Sequence, residues 1–170
     1  TRADDVWEVE VRAHDGEGYS PWVRSDTISV TGDTSNNAPT VDSITVSPEN
    51  PKTLDTLVAS STSSDADMDS IVDTQYRWSK NGIMTTITTS TIDSTMTTKG
   101  DLWTVEVRVN DGTVWSSWTA SSSLEILNTA PSLDSATIST NEAATNENVT
   151  LMATMSDVDG DQTTMSITWY

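Results

Sequence analysis

The sequence contains the same alternating stretch twice, 96 positions apart. Residues 103–112 read W-T-V-E-V-R-V-N-D-G, and residues 7–16 read W-E-V-E-V-R-A-H-D-G. Apolar and polar side chains alternate in both copies, which is the pattern of a β-strand with one buried face. Each copy ends in Asp-Gly, a pair that favours a turn. The repeat therefore predicts a β-protein built from tandem copies of one domain.

A second repeated segment divides the chain into domains. Residues 128–131 read N-T-A-P and match N-N-A-P at residues 36–39, and both segments have the composition of linkers. We interpret residues 1–36 as the C-terminal half of a domain, residues 37–128 as a complete domain and residues 129–170 as the N-terminal half of the next. Because half a sandwich leaves its apolar face exposed, we expect the natural polypeptide to continue in both directions.

The complete domain has the pattern of a two-layered β-structure. It contains about seven short alternating segments separated by turn residues, and Asn81-Gly82 strongly favours a tight hairpin. The predicted fold class is all-β, with tandem immunoglobulin-like β-sandwich repeats, one complete and two partial. Four tryptophans at alternating strand positions are expected in the cores, namely Trp7, Trp78, Trp103 and Trp169.

The charge of the chain narrows its possible partners. A formal net charge of −18, from 26 acidic and 8 basic residues, disfavours nucleic acid and anionic membrane surfaces, which both attract Lys and Arg. No apolar run approaches the roughly 18 residues of a membrane span, so none is expected in this segment. The chain has no Cys, which excludes disulfides and thiolate chemistry. An acidic β-chain rich in Thr and Ser is typical of extracellular or cell-surface proteins, and we expect that localisation.

Two short acidic segments are the strongest candidates for a binding site. Residues 65–69 read D-A-D-M-D and residues 157–161 read D-V-D-G-D. Three carboxylates at alternate positions can turn toward one point when the backbone curls, and they repel one another unless a cation lies between them. Ca²⁺ accepts several carboxylates with flexible geometry, so we predict structural Ca²⁺. Its predicted ligands are Asp65, Asp67, Asp69, Asp157, Asp159 and Asp161. The alternative is that these aspartates only solvate a loop and cap its turns.

The spacing of the acidic residues excludes an EF-hand. An EF-hand loop requires Gly at position 6 and Glu at position 12. Counted from Asp65 these positions hold Ser and Tyr, and counted from Asp157 they hold Gln and Thr. Calcium would therefore be held in a different context.

Further motifs together resemble a known group of repeats. Besides the linker and the acidic segments, the chain contains W-x-x-N-G at residues 78–82, K-G-D-x-W-x-V-x-V at residues 99–107 and N-D-G at residues 110–112. The combination looks like the tandem Ig-like repeats of prokaryotic surface and fibre proteins, and it is similar to PKD and bacterial cadherin-like domains. The resemblance covers essentially the whole chain and implies a role as a stalk, fibre or adhesin.

The expected topology adds residues to the candidate calcium sites. In an immunoglobulin-like domain the acidic loop, the loop after the repeated strand and the incoming linker lie at one end. The first junction would then include Asp111 and the linker residue Asn36 or Asn37, and the second would include Asn128. This arrangement resembles the interdomain calcium site of cadherin-like repeats. A bound ion would tie linker and loops together, so we expect Ca²⁺ to stiffen the array. Asp-Gly is also a plain turn signal, which leaves the contact of Asp111 with metal open.

The leading functional hypothesis is a non-catalytic extracellular structural repeat in a calcium-stiffened stalk or fibre. Its expected partners are neighbouring repeats of the same chain and further copies that associate laterally or end to end. The alternative is an adhesin module that binds cell-surface glycans or proteins through loops and exposed tryptophans. The candidates are Trp22, Trp115 and Trp118, for which packing in the core is favoured over a sugar-stacking surface. An enzyme is disfavoured because the acidic residues recur in each repeat, which an active site rarely does. Asn148 begins the one N-glycosylation sequon, which is meaningful only in a secreted protein.

Overall fold

A computed structural model describes residues 5–32, 35–139 and 143–170. These residues form antiparallel sheets, loops and one short 3₁₀-helix, which confirms the prediction of an all-β chain. The chain divides into two compact units, Thr1–Asn36 and Asn37–Tyr170. No helix in the described part is long and apolar enough to cross a membrane.

The strands are numbered in chain order, and the longest of them lie in the second unit. In the first unit they are β1 (Val6–Trp7), β2 (Glu10–Val11), β3 (Val23–Arg24) and β4 (Ile28–Ser29). In the second unit they are β5 (Thr40–Ser47), β6 (Leu57–Ser64), β7 (Asp73–Lys80), β8 (Ile83–Met84), β9 (Thr91–Ile92), β10 (Leu102–Asn110), β11 (Thr119–Ala120), β12 (Leu124–Glu125), β13 (Ser132–Ile138) and β14 (Leu151–Ser156). The 3₁₀-helix, Ser94–Met96, precedes β10.

The first unit consists of two antiparallel strand pairs, β1 with β4 and β2 with β3. The apolar side chains of its alternating stretch are exposed, with Trp7 at 53%, Val9 at 57% and Val11 at 61%. The expectation that Trp7 lies in a core is therefore wrong here. These side chains are exposed because the described strands of this unit form only two-stranded sheets. No facing sheet of the unit covers them.

Strand β10, the second copy of the alternating stretch, lies at the centre of the second unit. It pairs with β7 along eight residues, from Trp103 opposite Lys80 to Asn110 opposite Asp73. On its other edge, β10 pairs with β11 and with β12. The sheet therefore contains five strands, in the order β11-β10-β7-β8, with β12 beside β11 along β10. A second sheet has the order β5-β6-β9.

The two sheets share one hydrophobic core. Trp78 and Trp103 are at most 1% exposed, and their rings meet edge to face with centroids 6.2 Å apart. Val105 and Val107 of β10 pack in the same cluster as Leu57 of β6. Burial of each such side chain contributes about 1.5–3 kcal/mol, so this cluster is the main source of stability of the second unit.

The hairpin of β13 and β14 repeats the hairpin of β5 and β6. Ser132 pairs with Ser156 as Thr40 pairs with Ser64, and both hairpins contain an irregularity just inside these pairs. The repeat seen in the sequence is therefore also a repeat of strand register and of local backbone irregularity.

The residues after β14 form no further strand in the structure. Trp169 is 58% exposed, so the expectation that it lies in a core is wrong for this chain. The β13–β14 hairpin forms a two-stranded sheet, and some of its apolar residues are exposed as well, with Leu133 at 62% and Met152 at 65%. The tryptophan has no second layer within the described residues against which it could be buried.

Candidate metal centres

The first acidic loop connects β6 to β7 and brings its three carboxylates together. One carboxylate oxygen from each of Asp65, Asp67 and Asp69 lies within 4.8 Å of the others. The backbone curls because Asp65 Oδ1 accepts hydrogen bonds from the N–H groups of Asp67, at 2.8 Å, and Asp69, at 3.2 Å. Met68 completes the turn with a left-handed φ of 66°, which is uncommon for a residue with a side chain. The structure thus places the three predicted residues around one point.

The second carboxylate oxygen of Asp65 has no partner in the described part of the protein. Asp65 Oδ2 is buried and accepts no hydrogen bond. A buried polar atom without a partner costs on the order of 1–3 kcal/mol, and the neighbouring carboxylates of Asp67 and Asp69 add repulsion. A cation between the three groups would offset both effects.

The linker reaches this loop through Asn37. Its N–H donates to Asp67 Oδ2 at 2.6 Å, and its side-chain Nδ2 donates to Asp67 Oδ1 at 2.9 Å. Asn37, one of the two linker asparagines that were candidates for this position, is therefore bonded to the loop. Asn36 belongs to the first compact unit, and its role as a ligand stays a prediction.

Asp111 lies in the turn that follows β10. Its Oδ1 accepts hydrogen bonds from the N–H groups of Thr113, at 2.7 Å, and Val114, at 2.8 Å, so the side chain caps its own turn. This turn is next to the acidic loop, because the N–H of Val72 donates to the carbonyl of Asn110 at 2.8 Å. Asp111 does not belong to the group of converging carboxylates found among the described residues. Its contact with metal stays a prediction.

The second acidic loop follows β14 and has the same geometry as the first. One oxygen from each of Asp157, Asp159 and Asp161 lies within 4.8 Å of the others. Asp157 Oδ1 accepts hydrogen bonds from the N–H groups of Asp159, at 2.8 Å, and Asp161, at 3.2 Å. Gly160 adopts the left-handed conformation of this turn, with φ 75°. Asp157 Oδ2 is buried without a partner, like its counterpart in the first loop.

Residues outside the second loop bond directly to its carboxylates. The N–H of Thr129, the counterpart of Asn37, donates to Asp159 Oδ2 at 2.6 Å. The hydroxyl of Thr53 donates to Asp159 Oδ1. The ammonium of Lys99 lies 2.6 Å from Asp161 Oδ2. Thr53 carries no sequence signal for such a role, and Lys99 is visible only as part of the K-G-D motif.

These contacts shift two pKa values in the direction that favours an ion pair. The hydrogen bond from the Thr53 hydroxyl lowers the pKa of Asp159, and the Thr129 N–H and the charge of Lys99 act in the same direction. The hydrogen bond to Asp161 raises the pKa of Lys99, with further attraction from the other two loop carboxylates. The charged forms of Asp159 and Lys99 are therefore both favoured.

Two other predicted residues form no hydrogen bond with the loop carboxylates among the described contacts. Asn128 is exposed, and its Nδ2 donates to the carbonyl of Thr129 at 3.0 Å, whereas the linker residue bonded to the loop is Thr129. The role of Asn128 as a ligand stays a prediction. Asn148 is exposed between β13 and β14, and its glycosylation likewise stays a prediction.

A stack of arginine and tryptophan side chains covers the outer face of β10, and sequence reasoning missed it. The Arg108 guanidinium lies 4.6 Å from the ring centre of Trp115 and 4.7 Å from that of Trp118, and Arg77 lies 4.2 Å from Trp118. Glu106 holds Arg77 through contacts of 2.7 Å and 3.0 Å. Each exposed cation–π contact contributes about 0.5–1 kcal/mol. The guanidinium groups occupy ring faces that a sugar would otherwise use.

The same stack recurs in the first unit. Arg12 lies 3.8 Å from the ring centre of Tyr19 and 4.6 Å from that of Trp22. Ser20 and Ser116 occupy equivalent positions, and their Oγ atoms accept hydrogen bonds from the N–H groups of Ala13, at 2.9 Å, and Val109, at 3.0 Å. The spacing of aromatic, Ser and Trp residues after the repeated arginine is the sequence signal that could have revealed this arrangement.

The two acidic loops offer the same donors to a metal ion. All are oxygen atoms, the donor type that Ca²⁺ and Mg²⁺ prefer. Ca²⁺ tolerates irregular sets of ligands, whereas Mg²⁺ requires near-octahedral geometry and keeps several waters. Comparisons with protein-family models, with curated proteins and with solved structures found no match for this chain.

Proposed function

We propose that this chain is a non-catalytic, extracellular array of immunoglobulin-like repeats whose acidic loops bind Ca²⁺, and that the bound ions stiffen a stalk or fibre. The proposal depends on an arrangement of carboxylates that occurs in both acidic loops. At equivalent positions of two repeats, three carboxylates converge and one carboxylate oxygen is buried without a partner. A loop that only solvates the surface would leave its carboxylate oxygens in water, so burial of the same oxygen in both copies favours a bound cation.

The spacing of the carboxylates suits Ca²⁺. Two oxygens on opposite sides of a Ca²⁺ ion lie about 4.6–5.2 Å apart, because each Ca–O distance is about 2.3–2.6 Å. The oxygens of each loop lie within 4.8 Å of one another, so one ion can reach all three. Extracellular modules bind Ca²⁺ with dissociation constants of about 10⁻⁴–10⁻³ M, a range that suits two exposed loops.

Stiffening follows from the contact between linker and loop. Asn37 bonds to Asp67 in the first loop, and Thr129 bonds to Asp159 in the second. A bound ion would neutralise the repulsion that opens the loop and would hold fixed the carboxylate to which the linker is bonded. The linker would then lose freedom to move, which is the property a stalk or fibre requires.

The immunoglobulin-like part of the proposal is supported by strand order. The first, second and fifth strands of the complete domain form one sheet, and the third, fourth, sixth, seventh and eighth form the other. Trp78 is buried on the third strand, as the tryptophan of an immunoglobulin-like core is. These features support the resemblance to PKD and cadherin-like repeats.

A glycan-binding adhesin is the weaker candidate. Trp22 is 57% exposed and could contact a sugar, but Arg12 lies against its ring. Arginines likewise cover ring faces of Trp115 and Trp118. Quenching of tryptophan fluorescence by glycans would favour this candidate.

Thermal unfolding with and without Ca²⁺ tests the proposal. Millimolar Ca²⁺ should stabilise the full chain by about 1–3 kcal/mol, because an ion that binds only the folded state shifts the unfolding equilibrium. The variant Asp65→Asn/Asp67→Asn/Asp69→Asn should lose part of the increase in melting temperature. Adding Asp157→Asn/Asp159→Asn/Asp161→Asn should remove the rest.

A charge-matched control separates binding from general electrostatics. Asp26→Asn, Glu49→Gln and Glu125→Gln remove three charges from exposed positions outside both loops. This control variant should keep the full increase in melting temperature. An unchanged melting temperature of the parent chain in millimolar Ca²⁺ would reject the calcium-stiffened array.

A further inference from the structure

The second acidic loop is in contact with a positive charge of the protein. Lys99 Nζ lies 2.6 Å from Asp161 Oδ2 in the second loop. Among the described residues of the second unit, no Lys, Arg or His side chain forms an ion pair with a carboxylate of the first loop, whose members are Asp65, Asp67 and Asp69. The second loop therefore already holds one cation that belongs to the protein.

The preceding domain holds this lysine in place. The N–H of Lys99 donates to Thr53 Oγ1 at 2.8 Å, and the same hydroxyl donates to Asp159. The next residue, Gly100, donates its N–H to the carbonyl of Ile126 at 2.8 Å. The backbone beside the ammonium is thus tied to the domain, while the Lys99 side chain remains 41% exposed and can leave Asp161.

We infer that Lys99 is a built-in counterion of the second loop and sets its affinity for Ca²⁺ below that of the first loop. This inference rests on the proposed calcium binding of both loops. Because the ammonium is bonded to Asp161 Oδ2, a Ca²⁺ ion has to displace it or to bind beside its charge. A unit charge about 6 Å from a divalent ion in a water-like dielectric lowers affinity roughly tenfold.

The sequence shows the same asymmetry between the two junctions. The position that corresponds to Lys99, 96 residues earlier, is Ala3, an uncharged residue outside the described part of the chain. When Ca²⁺ is scarce, the ion pair of Lys99 and Asp161 still joins the second loop to the preceding domain. The first junction would then depend on Ca²⁺ for its stiffness. The second would be held partly by the ion pair of Lys99 and Asp161.

Calcium titration of the full chain, followed by calorimetry, tests the role of Lys99. Asp65→Asn/Asp67→Asn/Asp69→Asn leaves only the second loop intact, and Asp157→Asn/Asp159→Asn/Asp161→Asn leaves only the first. The intact second loop should bind Ca²⁺ about tenfold more weakly than the intact first loop. Lys99→Met should raise the affinity of the second loop about tenfold and leave that of the first loop unchanged.

Two further variants separate the contact from general charge. Lys52→Met removes the same charge from an exposed position next to Thr53 and should change the affinity of the second loop by less than about twofold, because solvent and salt screen it. Lys99→Arg keeps the charge and should keep the low affinity. Circular dichroism checks that each variant is folded.

The possible outcomes distinguish the inference from the proposed function. Calcium binding by both loops, with no effect of Lys99→Met or with an effect equal to that of Lys52→Met, overturns the role of Lys99 and leaves the calcium sites in place. If neither loop binds calcium, with Lys or with Met at position 99, both the role of Lys99 and the proposed calcium sites are overturned.

Discussion

At the scale of single residues, two tryptophans of the same core differ in their polar atoms. Trp78 Nε1 donates a hydrogen bond to the carbonyl of Thr89 at 2.9 Å. Trp103 Nε1 is buried and has no partner in the described part of the protein. Both indole rings pack in one cluster, so their contributions to stability should differ mainly through the indole N–H.

Replacing each tryptophan by phenylalanine should expose this difference. Trp78→Phe removes apolar contacts and also leaves the carbonyl of Thr89 without its donor. Trp103→Phe removes apolar contacts together with an unpaired N–H. We expect Trp78→Phe to lower the free energy of unfolding by about 1 kcal/mol more than Trp103→Phe, as measured by urea denaturation. An equal or larger loss for Trp103→Phe would contradict this reading of the core.

At the scale of elements, side-chain caps determine where short segments turn. Asp93 precedes the 3₁₀-helix, and its Oδ1 accepts hydrogen bonds from the Thr95 hydroxyl at 2.7 Å and the Thr95 N–H at 2.9 Å. These bonds lower the pKa of Asp93 below 3.8, and the hydroxyl has the larger effect. The acidic loops use the same device, since Asp65 and Asp157 each bond to two N–H groups of their own turn.

The cap at Asp93 predicts a pH dependence with a definite sign. A carboxylate whose folded pKa is lowered contributes stability above its unfolded pKa of 3.8, and that contribution is lost as the pH falls through the folded value. The melting temperature of Asp93→Asn should therefore be below that of the parent chain at pH 7, and the gap should shrink below about pH 4. Thr95→Val should reduce the pH dependence of the gap, because it removes the main donor. A gap that stays constant down to pH 2 would contradict the assignment.

At the scale of the whole molecule, a link within the second unit joins the two sheets that share a core to the β13–β14 hairpin and the second acidic loop. The link consists of the 128–131 segment and the contacts of Thr53 and Lys99 with the second acidic loop. Most of these contacts are polar and partly exposed, so they are weak one by one. An ion that neutralises the loop should therefore have a large effect on the mobility of this segment.

Limited proteolysis at the 128–131 segment measures that mobility. In millimolar Ca²⁺ a protease of broad specificity should cleave this segment several-fold more slowly, because cleavage follows the population of locally opened molecules. Asp157→Asn/Asp159→Asn/Asp161→Asn should remove the protection by Ca²⁺. Equal cleavage rates with and without Ca²⁺ in the parent chain would show that ion binding, if present, does not stiffen the junction.

The sequence by itself determined the features that depend on neighbouring residues. The alternation of residues 103–109 predicted the central strand β10, because side chains of a strand point to opposite faces in turn. The D-x-D-x-D spacing predicted the convergence of Asp65, Asp67 and Asp69, since the first carboxylate can bond to the N–H groups of the two that follow.

Only the tertiary structure decided which distant residues meet. Lys99 and Asp161 are 62 positions apart, and Thr53 and Asp159 are 106 apart, so no local pattern links them. Burial of tryptophan was decided in the same way: Trp103 faces a second sheet and is buried, whereas Trp7, in an equivalent stretch, faces none within its unit and is exposed. The physical reason is that periodicity specifies the face on which a side chain lies, but burial and ion pairing require a second element packed against that face.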